Sequence, residues 1–295
     1  MRISVIGCGY LGAVHAAAMT KLGHDVVGVD VDAAKVAALS AGRAPFYEPG
    51  LTELLTETLA SGQLRFTTDI AEIKGARVHF VCVGTPQKRG EFAADLTYVD
   101  AAFAGALPHL SDGDVLVGKS TVPVGTAERL AVNLQGSGAT LAWNPEFLRE
   151  GLAVQDTLHP NRLVYGVPSG VPGARAKVVL NEVFAAPLAE GVPLVVTDYA
   201  TAELVKVAAN SFLATKISFI NAMAELCEAT GADVTGLAEA IGYDERIGRK
   251  FLNAGLGFGG SGPVGLALVI QLLALRQGQY ALDPPSSFLI SVENV

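Results

Sequence analysis

The stretch RISVIGCGYLG, residues 2–12, decides the fold of this chain. A short β-forming run leads into Gly7, Gly9 and Gly12, which form a G-x-G-x-x-G pattern, and a helix-forming segment follows. Gly7 suits a tight turn, Gly9 lets a ligand approach the backbone, and Gly12 lets the helix pack closely on the strand. The unpaired N–H groups at the start of that helix attract an anion such as a pyrophosphate. The stretch therefore predicts a strand, a dinucleotide-binding turn and a helix.

An acidic residue, Asp30, ends the next predicted strand, about 20 residues further on, as the dinucleotide pattern requires. A carboxylate there accepts hydrogen bonds from both ribose hydroxyls and repels a 2′-phosphate, so NAD is favoured over NADP. Lys35 either reaches the ribose or is an ordinary solvated helix lysine.

Apolar runs alternate with amphipathic segments through the first two thirds of the chain. Several runs are nearly continuous in Val, Ile, Leu and Phe, which is typical of strands covered on both faces. The predicted strands are RISVIG, DVVGVD, QLRFTT, ARVHFVCV, DVLVGKS, ATLAWN and NRLVYGV, and the predicted helices cover residues 11–22, 33–41, 51–60, 97–107 and 125–134. This alternation predicts an α/β fold with a doubly wound parallel sheet.

The pattern changes near residue 198. The next thirty-odd residues contain no proline, and their apolar residues recur at spacings of three and four, which predicts one long helix. We expect a Rossmann-like domain over residues 1–197 and a central all-α domain over residues 198–295. The apolar tail from Pro263 onward has three charged residues, Arg276, Asp283 and Glu293, so we expect it to pack on a twin subunit or another domain.

The amino-acid composition and charge limit the kinds of partner and location that we expect for this protein. Half of the 295 residues are hydrophobic, 17% are charged and the net charge is −8, which argues against binding to nucleic acid or to an anionic membrane. The three cysteines, Cys8, Cys82 and Cys227, have no metal-ligand spacing and indicate a reducing compartment. The sequence has no signal-peptide pattern and no apolar run long enough to span a membrane. We expect a cytoplasmic protein with no metal site.

Polar residues follow three predicted strands, at the edge where parallel sheets bind ligands. Thr85 and Thr121 either line the nicotinamide side of the site or serve ordinary turns and helix caps. Glu146 and Glu150, in NPEFLREG (residues 144–151), could share one helical face, where a half-buried carboxylate would serve as a general base. The alternative is a solvated first helical turn.

Two further features carry candidate residues. Lys206 and Asn210 lie four apart on the predicted long helix and interrupt an apolar surface, so Lys206 either extends to solvent or points into a site. Further on, the stretch NAGLGFGGSGPVGLAL, residues 253–268, is a glycine-dense turn suited to close approach of a ligand.

Taken together, these segments resemble the family of nucleotide-sugar dehydrogenases, which includes enzymes acting on UDP-glucose, GDP-mannose and UDP-N-acetylmannosamine, and the UDP-glucose enzymes most of all. The matching stretches are GCGYLG, GVDVDAAKV, YEPGL, VGTP, DLTYVDAA, KSTVPVGT, NPEFLREG, LVKVAANSFLATKISFINAMAELC and FLNAGLGFGGS. The resemblance implies oxidation of the C6 alcohol of a sugar, UDP-glucose in the first place, to a carboxylate with reduction of two NAD. It also implies a homodimer that meets through the long helix.

The resemblance also implies residue roles. The adenosine half of NAD would contact Gly7, Gly9, Tyr10, Leu11, Gly12, Asp30 and Lys35, and the rest of NAD would contact Thr85, Thr121 and Glu150. Catalysis would use Thr121, Glu146 as general base, and Lys206 with Asn210 for the developing oxyanion. The nucleotide sugar would contact Glu146, Phe147, Leu148, Arg149, Glu150, Lys206, Asn210, Phe251, Leu252, Asn253, Ala254, Gly255 and Gly259.

The sequence departs from the family pattern in two ways. Gly262 stands where the family has its nucleophilic cysteine, and the lysine and aspartate that follow that cysteine in the family are missing. Ser261 is a poor substitute because a serine needs an adjacent base. The C-terminal nucleotide-sugar domain of the family is also expected to be absent. Two hypotheses follow, an NAD-dependent dehydrogenase or an NAD-binding remnant without turnover, and a weaker third is a β-hydroxyacid dehydrogenase with Lys206 as its catalytic lysine.

Overall fold

The computed structural model describes residues 1–90 and 93–255. Eight strands in this part of the chain form one sheet, in the order β3-β2-β1-β4-β5-β6-β7-β8. The strands are β1 (Arg2–Ile6), β2 (Asp25–Val29), β3 (Leu64–Thr67), β4 (Val78–Val81), β5 (Val115–Gly118), β6 (Thr140–Trp143), β7 (Leu163–Gly166) and β8 (Leu194–Thr197). Strand order reverses between β1 and β4, so the ligand crevice of a doubly wound sheet is expected there.

Helices connect these strands, and most lie where the sequence predicts them. They are α1 (Tyr10–Lys21), α2 (Ala33–Ser40), α3 (Leu51–Ala60), α4 (Thr97–Ala106), α5 (Thr126–Asn133), α6 (Ala153–Leu158), α7 (Gly170–Val183), α8 (Ala185–Ala189), α9 (Tyr199–Thr230) and α10 (Val234–Gly242). Short 3₁₀ turns occur at Ile70–Ile73 and Leu107–His109. No helix within the described residues is long and apolar enough to cross a membrane.

The seven predicted strands are all present, and the sheet is parallel from β3 to β6. The predicted doubly wound parallel sheet is thus confirmed, with one exception: β7 pairs antiparallel with β6 through Trp143 and Gly166. Strand β8 then pairs parallel with β7. The amino end of β7 therefore lies at the same edge as the carboxyl end of β6. This reversal brings the loop before β7 to the expected ligand edge.

The core lies on both faces of the sheet, as the continuous apolar strands predict. All four residues of β4 and of β5 are buried, and one cluster includes Ile3, Phe80 and Tyr165. A side chain of this size contributes about 1.5–3 kcal/mol when fully buried. Trp143 lies on the opposite face of the sheet, and its ring packs against Gly118. A Cβ added to Gly118 would lie 2.1 Å from this ring. Glycine at that strand position is required by close packing.

Two compact units divide the described chain. The first takes residues 1–85 and 95–206, and the described residues of the second are 86–90, 93, 94 and 207–255. In the second unit Ile220, Ala238 and Leu252 form a small apolar cluster. The predicted long helix is confirmed as α9, which ends before Gly231 with a φ of 73°. The predicted domain boundary at residues 197 and 198 stays a prediction.

Candidate active site

The dinucleotide turn follows β1 directly. Gly7 has a φ of 87° and donates its N–H to the carbonyl of Val29 (2.8 Å), which closes the tight turn. Gly12 lies so close to this turn that an added Cβ would be 1.8 Å from the Gly7 carbonyl oxygen. Gly9 is the N-cap of α1, has no side-chain cap and faces open space. The residues present thus fit a pyrophosphate at the start of α1.

The carboxylate of Asp30 lies just past β2 and is buried. Its Oδ2 accepts the N–H of Cys8 at 2.8 Å and the ammonium of Lys35 at 2.9 Å, and its Oδ1 accepts the N–H of Asp32 at 3.0 Å. Lys35 is therefore not a free solvated lysine, since its Nζ is paired with Asp30. The carboxylate stays fixed at the end of β2, where a ribose is expected.

Two loops after β4 and β5 are tied together by hydroxyl groups. The Thr85 hydroxyl donates to the Thr121 carbonyl (2.8 Å), and the Ser120 hydroxyl donates to the Val83 carbonyl (2.6 Å). Thr85 and Thr121 are half-buried and neither caps a helix, so ordinary helix capping does not explain them. The structure brings both threonines to the carboxyl edge of the sheet.

Residues 144–150 form a loop after β6. The prediction that Glu146 and Glu150 share one helical face is therefore wrong. Glu146 is half-buried, and its Oε2 accepts the N–H of Leu148 at 2.6 Å. Glu150 is exposed. In this segment the N–H groups of Leu148 and Arg149 bond to the side chains of Glu146 and Asp156 instead of to the fourth preceding carbonyl.

Lys206 is the partner of Glu146. Its Nζ lies 3.0 Å from Glu146 Oε1, and the two side chains are 8% and 20% exposed, so this lysine points into the protein and does not extend to solvent. Two cations contact the Phe147 ring, with Lys206 Nζ at 5.5 Å and the Arg162 guanidinium at 3.7 Å from its centroid. Burial lowers the pKa of Arg162. The structure thus brings together Glu146 and Lys206, two site residues that the sequence predicts separately.

The other end of the same loop is held by Asp156 of α6. Its carboxylate accepts from the backbone N–H of Arg149 at 2.9 Å and from the Arg149 side chain at 2.6 and 3.0 Å. The guanidinium of Arg149 is therefore paired with α6. Phe147 and Leu148 are half-buried beside it.

A small cavity of about 50 Å³ lies beside this loop. It is lined by residues from α1, from the loops that follow β5 and β6 and from the loop before β7, among them Leu11, His15, Lys119, Asn144, Glu146 and Arg162. Lys119 Nζ donates to Asn144 Oδ1 (2.9 Å), and burial lowers the pKa of Lys119. Burial also lowers the pKa of His15, whose Nε2 has no partner among the described residues.

Lys119 and Asn144 also belong to this edge of the sheet, although they were not predicted as site residues. Each is the first residue after a strand, β5 and β6 respectively, which is the same signal that selected Thr121 and Glu146. Arg162 was missed because the reversed direction of β7 is not visible in the sequence.

Candidates of the second unit have their own local contacts. Asn210 is half-buried on α9, and Leu252 is buried in the apolar cluster of that unit. Phe251 has a φ of 64°, which is uncommon for a residue with a bulky side chain. Asn253 and Ala254 are exposed, and Gly255 exchanges two hydrogen bonds with the Asn221 amide at 2.9 and 3.0 Å. Gly259, Ser261 and Gly262 lie outside the described residues.

Comparison with known proteins gives consistent matches. The model of the UDP-glucose/GDP-mannose dehydrogenase family, NAD binding domain, matches residues 1–185, and that of the central domain matches residues 200–275. UDP-glucose 6-dehydrogenase of Rhizobium meliloti (strain 1021) is 46% identical over 266 residues, covering 88% of this chain and 60% of that protein. A UDP-glucose dehydrogenase structure from Pyrobaculum islandicum is 41% identical with a TM-score of 0.85, covering 93% of this chain and 64% of that one.

A more distant structure is also similar. A GDP-mannose dehydrogenase from Pseudomonas aeruginosa is 31% identical with a TM-score of 0.77, covering 97% of this chain and 66% of that one. The chain thus spans about three fifths of the length of the Rhizobium relative. The family match extends over more than half of the chain and includes the glycine turn, Asp30 and the loop with Glu146. The chain belongs to the UDP-glucose/GDP-mannose dehydrogenase family and carries the NAD-binding domain of that family.

Proposed function

We propose that this chain binds NAD at the Gly7–Gly12 turn and oxidises the C6 alcohol of a nucleotide sugar, with UDP-glucose as the preferred substrate. The observation that carries the proposal is the ion pair between the buried Lys206 and the half-buried Glu146, 3.0 Å apart at the carboxyl edge of the sheet. A lysine and a carboxylate held together in a partly dry site are suited to stabilise an alkoxide and to accept its proton.

Under this proposal, different residues of the first unit bind the cofactor and transfer the proton. Asp30 and Lys35 hold the adenosine ribose, and the N–H groups at the start of α1 hold the pyrophosphate. When bound, NAD supplies the acceptor for the hydride that leaves C6. The Glu146 carboxylate takes the hydroxyl proton, while the Lys206 ammonium stabilises the oxygen as negative charge develops on it. Thr121, beside Thr85, orients the reacting groups.

A second candidate function is NAD binding without complete oxidation. It is favoured by Gly262, which stands at the position of the family's nucleophilic cysteine. Oxidation of the aldehyde to a carboxylate requires a nucleophile or an activated water, and a glycine supplies neither. Under this candidate the chain binds NAD and forms no more than one NADH per sugar.

One experiment separates the two functions. NAD binding to the purified chain is measured by calorimetry, and NADH absorbance is then followed with UDP-glucose, GDP-mannose or UDP-N-acetylmannosamine. Two NADH per UDP-glucose support the complete dehydrogenase, whereas NAD binding with one NADH or none supports the second candidate. Lys206→Met keeps the apolar stem and removes the charge, so it should abolish NADH formation and leave NAD affinity within about threefold. Absence of NAD binding by the unaltered chain would refute both functions.

We further propose a homodimer through α9, in the reducing environment of the cytoplasm. The support is an exposed seam on α9 in the second unit, with Phe212, Phe219 and Leu226 repeating every seven residues and 66%, 48% and 54% exposed. Thr215 and Ala222 fill the intervening positions and are also exposed. Such heptad spacing suits a partner helix. Phe219→Glu should convert a dimer to a monomer in analytical ultracentrifugation, and an unaltered chain that sediments as a monomer would refute the dimer.

A further inference from the structure

The carboxylate of Glu48 connects two distant parts of the candidate site. Glu48 lies in the loop between α2 and α3, in the stretch YEPGL, to which no role is assigned above, and it is 5% exposed. Its Oε2 accepts the N–H of Gly151 at 2.9 Å, and its Oε1 accepts the N–H of Ala153 at 2.7 Å. Its Oε2 also accepts the hydroxyl of Tyr10. No ion pair of Glu48 occurs in the part of the chain that the structure describes.

These three donors come from the two segments that the proposed chemistry must align. Tyr10 is the first residue of α1, next to Gly9 in the dinucleotide turn. Gly151 directly follows Glu150, the last acidic residue of the NPEFLREG loop, and Ala153 begins α6. One side chain therefore bridges the cofactor turn and the loop that carries Glu146.

The contacts of Glu48 are strong enough to fix the loop. Backbone N–H bonds to a buried carboxylate are among the stronger hydrogen bonds in proteins, and the N–H groups would lack a partner without it. Burial and the hydrogen bond to Glu48 raise the pKa of Tyr10, so its hydroxyl remains a donor. The Tyr10 ring also packs on Phe46, with centroids 5.0 Å apart.

We propose that Glu48 is a positioning residue that holds the NPEFLREG loop in place. Through its hydrogen bond with Tyr10, Glu48 makes the order of this loop depend on whether NAD occupies the dinucleotide turn. The coupling rests on the proposed function, because it requires NAD at the Gly9 turn. A ligand that fixes the backbone at Tyr10 also fixes the hydroxyl bonded to Glu48. The loop is then more ordered when NAD is bound, so cofactor binding prepares the site for the sugar.

The positioning role is tested without cofactor by hydrogen exchange of the Gly151 and Ala153 amides in the full chain. Glu48→Ala should speed exchange of both amides by about tenfold or more, since it removes their only acceptor in the described structure. Glu48→Gln retains one acceptor oxygen and should give an intermediate rate. If Glu48→Ala does not fold, Glu48→Gln decides. Unchanged exchange in a folded Glu48→Ala or Glu48→Gln variant overturns the positioning role.

The coupling is tested with the variant Tyr10→Phe, which removes one hydroxyl and keeps the ring on Phe46. In the NAD-free protein, exchange of Gly151 and Ala153 should stay within about threefold of the unaltered chain, because Glu48 still accepts from both amides. Saturating NAD should slow this exchange by about fivefold or more in the unaltered chain and by less than twofold in Tyr10→Phe. A general loss of structure would not produce this selective loss of the NAD effect.

The outcomes separate this proposal from the proposed function. Full NAD-dependent protection in Tyr10→Phe overturns the coupling, because the ligand would then order the loop by another route. Calorimetry with NAD is run on each variant. Absence of NAD binding by the unaltered chain overturns the proposed function and the coupling together, while the NAD-free exchange rates still decide the positioning role.

Discussion

The dinucleotide turn offers a matched pair of substitutions, Gly12→Ala and Gly9→Ala. An added Cβ at Gly12 would lie 1.8 Å from the Gly7 carbonyl oxygen and 3.2 Å from the Cys82 Cβ. A carbon–oxygen contact needs about 3.3 Å, so α1 must move from the turn by about 1.5 Å. Overpacking on this scale costs about 2–3 kcal/mol, which lowers Tm by about 4–12 °C for a unit of this size.

Gly9→Ala should behave in the opposite way. Gly9 has a φ of −69°, which any residue adopts, and an added Cβ meets nothing within 4 Å. Stability should therefore change by less than about 1 kcal/mol, the typical effect at a helix N-cap. The Cβ would occupy the space proposed for the pyrophosphate, so NAD affinity should fall by about tenfold or more, equivalent to about 1.4 kcal/mol.

Differential scanning fluorimetry without ligand measures the stability of both variants, and calorimetry measures their NAD affinity. A Gly9→Ala variant that binds NAD as tightly as the unaltered chain would show that the pyrophosphate does not contact Gly9. A Gly12→Ala variant with an unchanged Tm would refute the packing argument for Gly12.

Two further predictions concern buried ionisable groups. The pKa of His15 is lowered by burial, so below about pH 6.5 the unfolded chain binds a proton that the folded chain does not, and stability is lost as the pH falls. Urea unfolding should show that the loss between pH 7 and 5 is smaller in His15→Phe by up to about 2 kcal/mol, and parallel losses in both proteins would contradict this. Glu203 accepts the N–H groups of Gly125 and Ala127 at 2.7 and 2.6 Å, at the start of α5. Glu203→Ala should therefore cost about 2 kcal/mol in urea unfolding, with Glu203→Gln closer to the unaltered chain, and equal stability of all three proteins would refute the role of this contact.

The parts of the fold that were predicted correctly depend on local pattern. The glycine turn, Asp30 and the continuous apolar strands each carry their signal within a few residues. Helix α7 was missed because Pro172 and two glycines in its first turn read as a loop, although proline is tolerated there. Strand β8 is short, lies at the sheet edge and is partly exposed, so its signal is weak.

The parts of the site that were not predicted depend on distant pairs. Glu48 and its partners Gly151 and Ala153 are separated by 103 and 105 residues, and nothing in YEPGL indicates which amides it meets. The sequence left the role of Lys206 open, because a lysine on an apolar helix face has the same pattern whether it extends to solvent or points into a site. The contact with Glu146 decides between the two. Charged residues such as Glu146 and Lys206 are visible in the sequence, but their partners depend on how the chain folds.

The reversal of β7 also reduces the number of residue pairs that join it to β6. Strands β6 and β7 share a single bridge pair, Trp143 with Gly166, whereas the other neighbouring strands share four or five pairs. The Asn144 amide, which donates to the Val164 carbonyl at 3.0 Å, replaces part of the missing ladder. The junction between β6 and β7 therefore has the fewest strand pairs in the sheet. Asn144, a residue of the ligand edge, therefore also helps to join β7 to β6, so a substitution of Asn144 is expected to weaken this junction as well as the site.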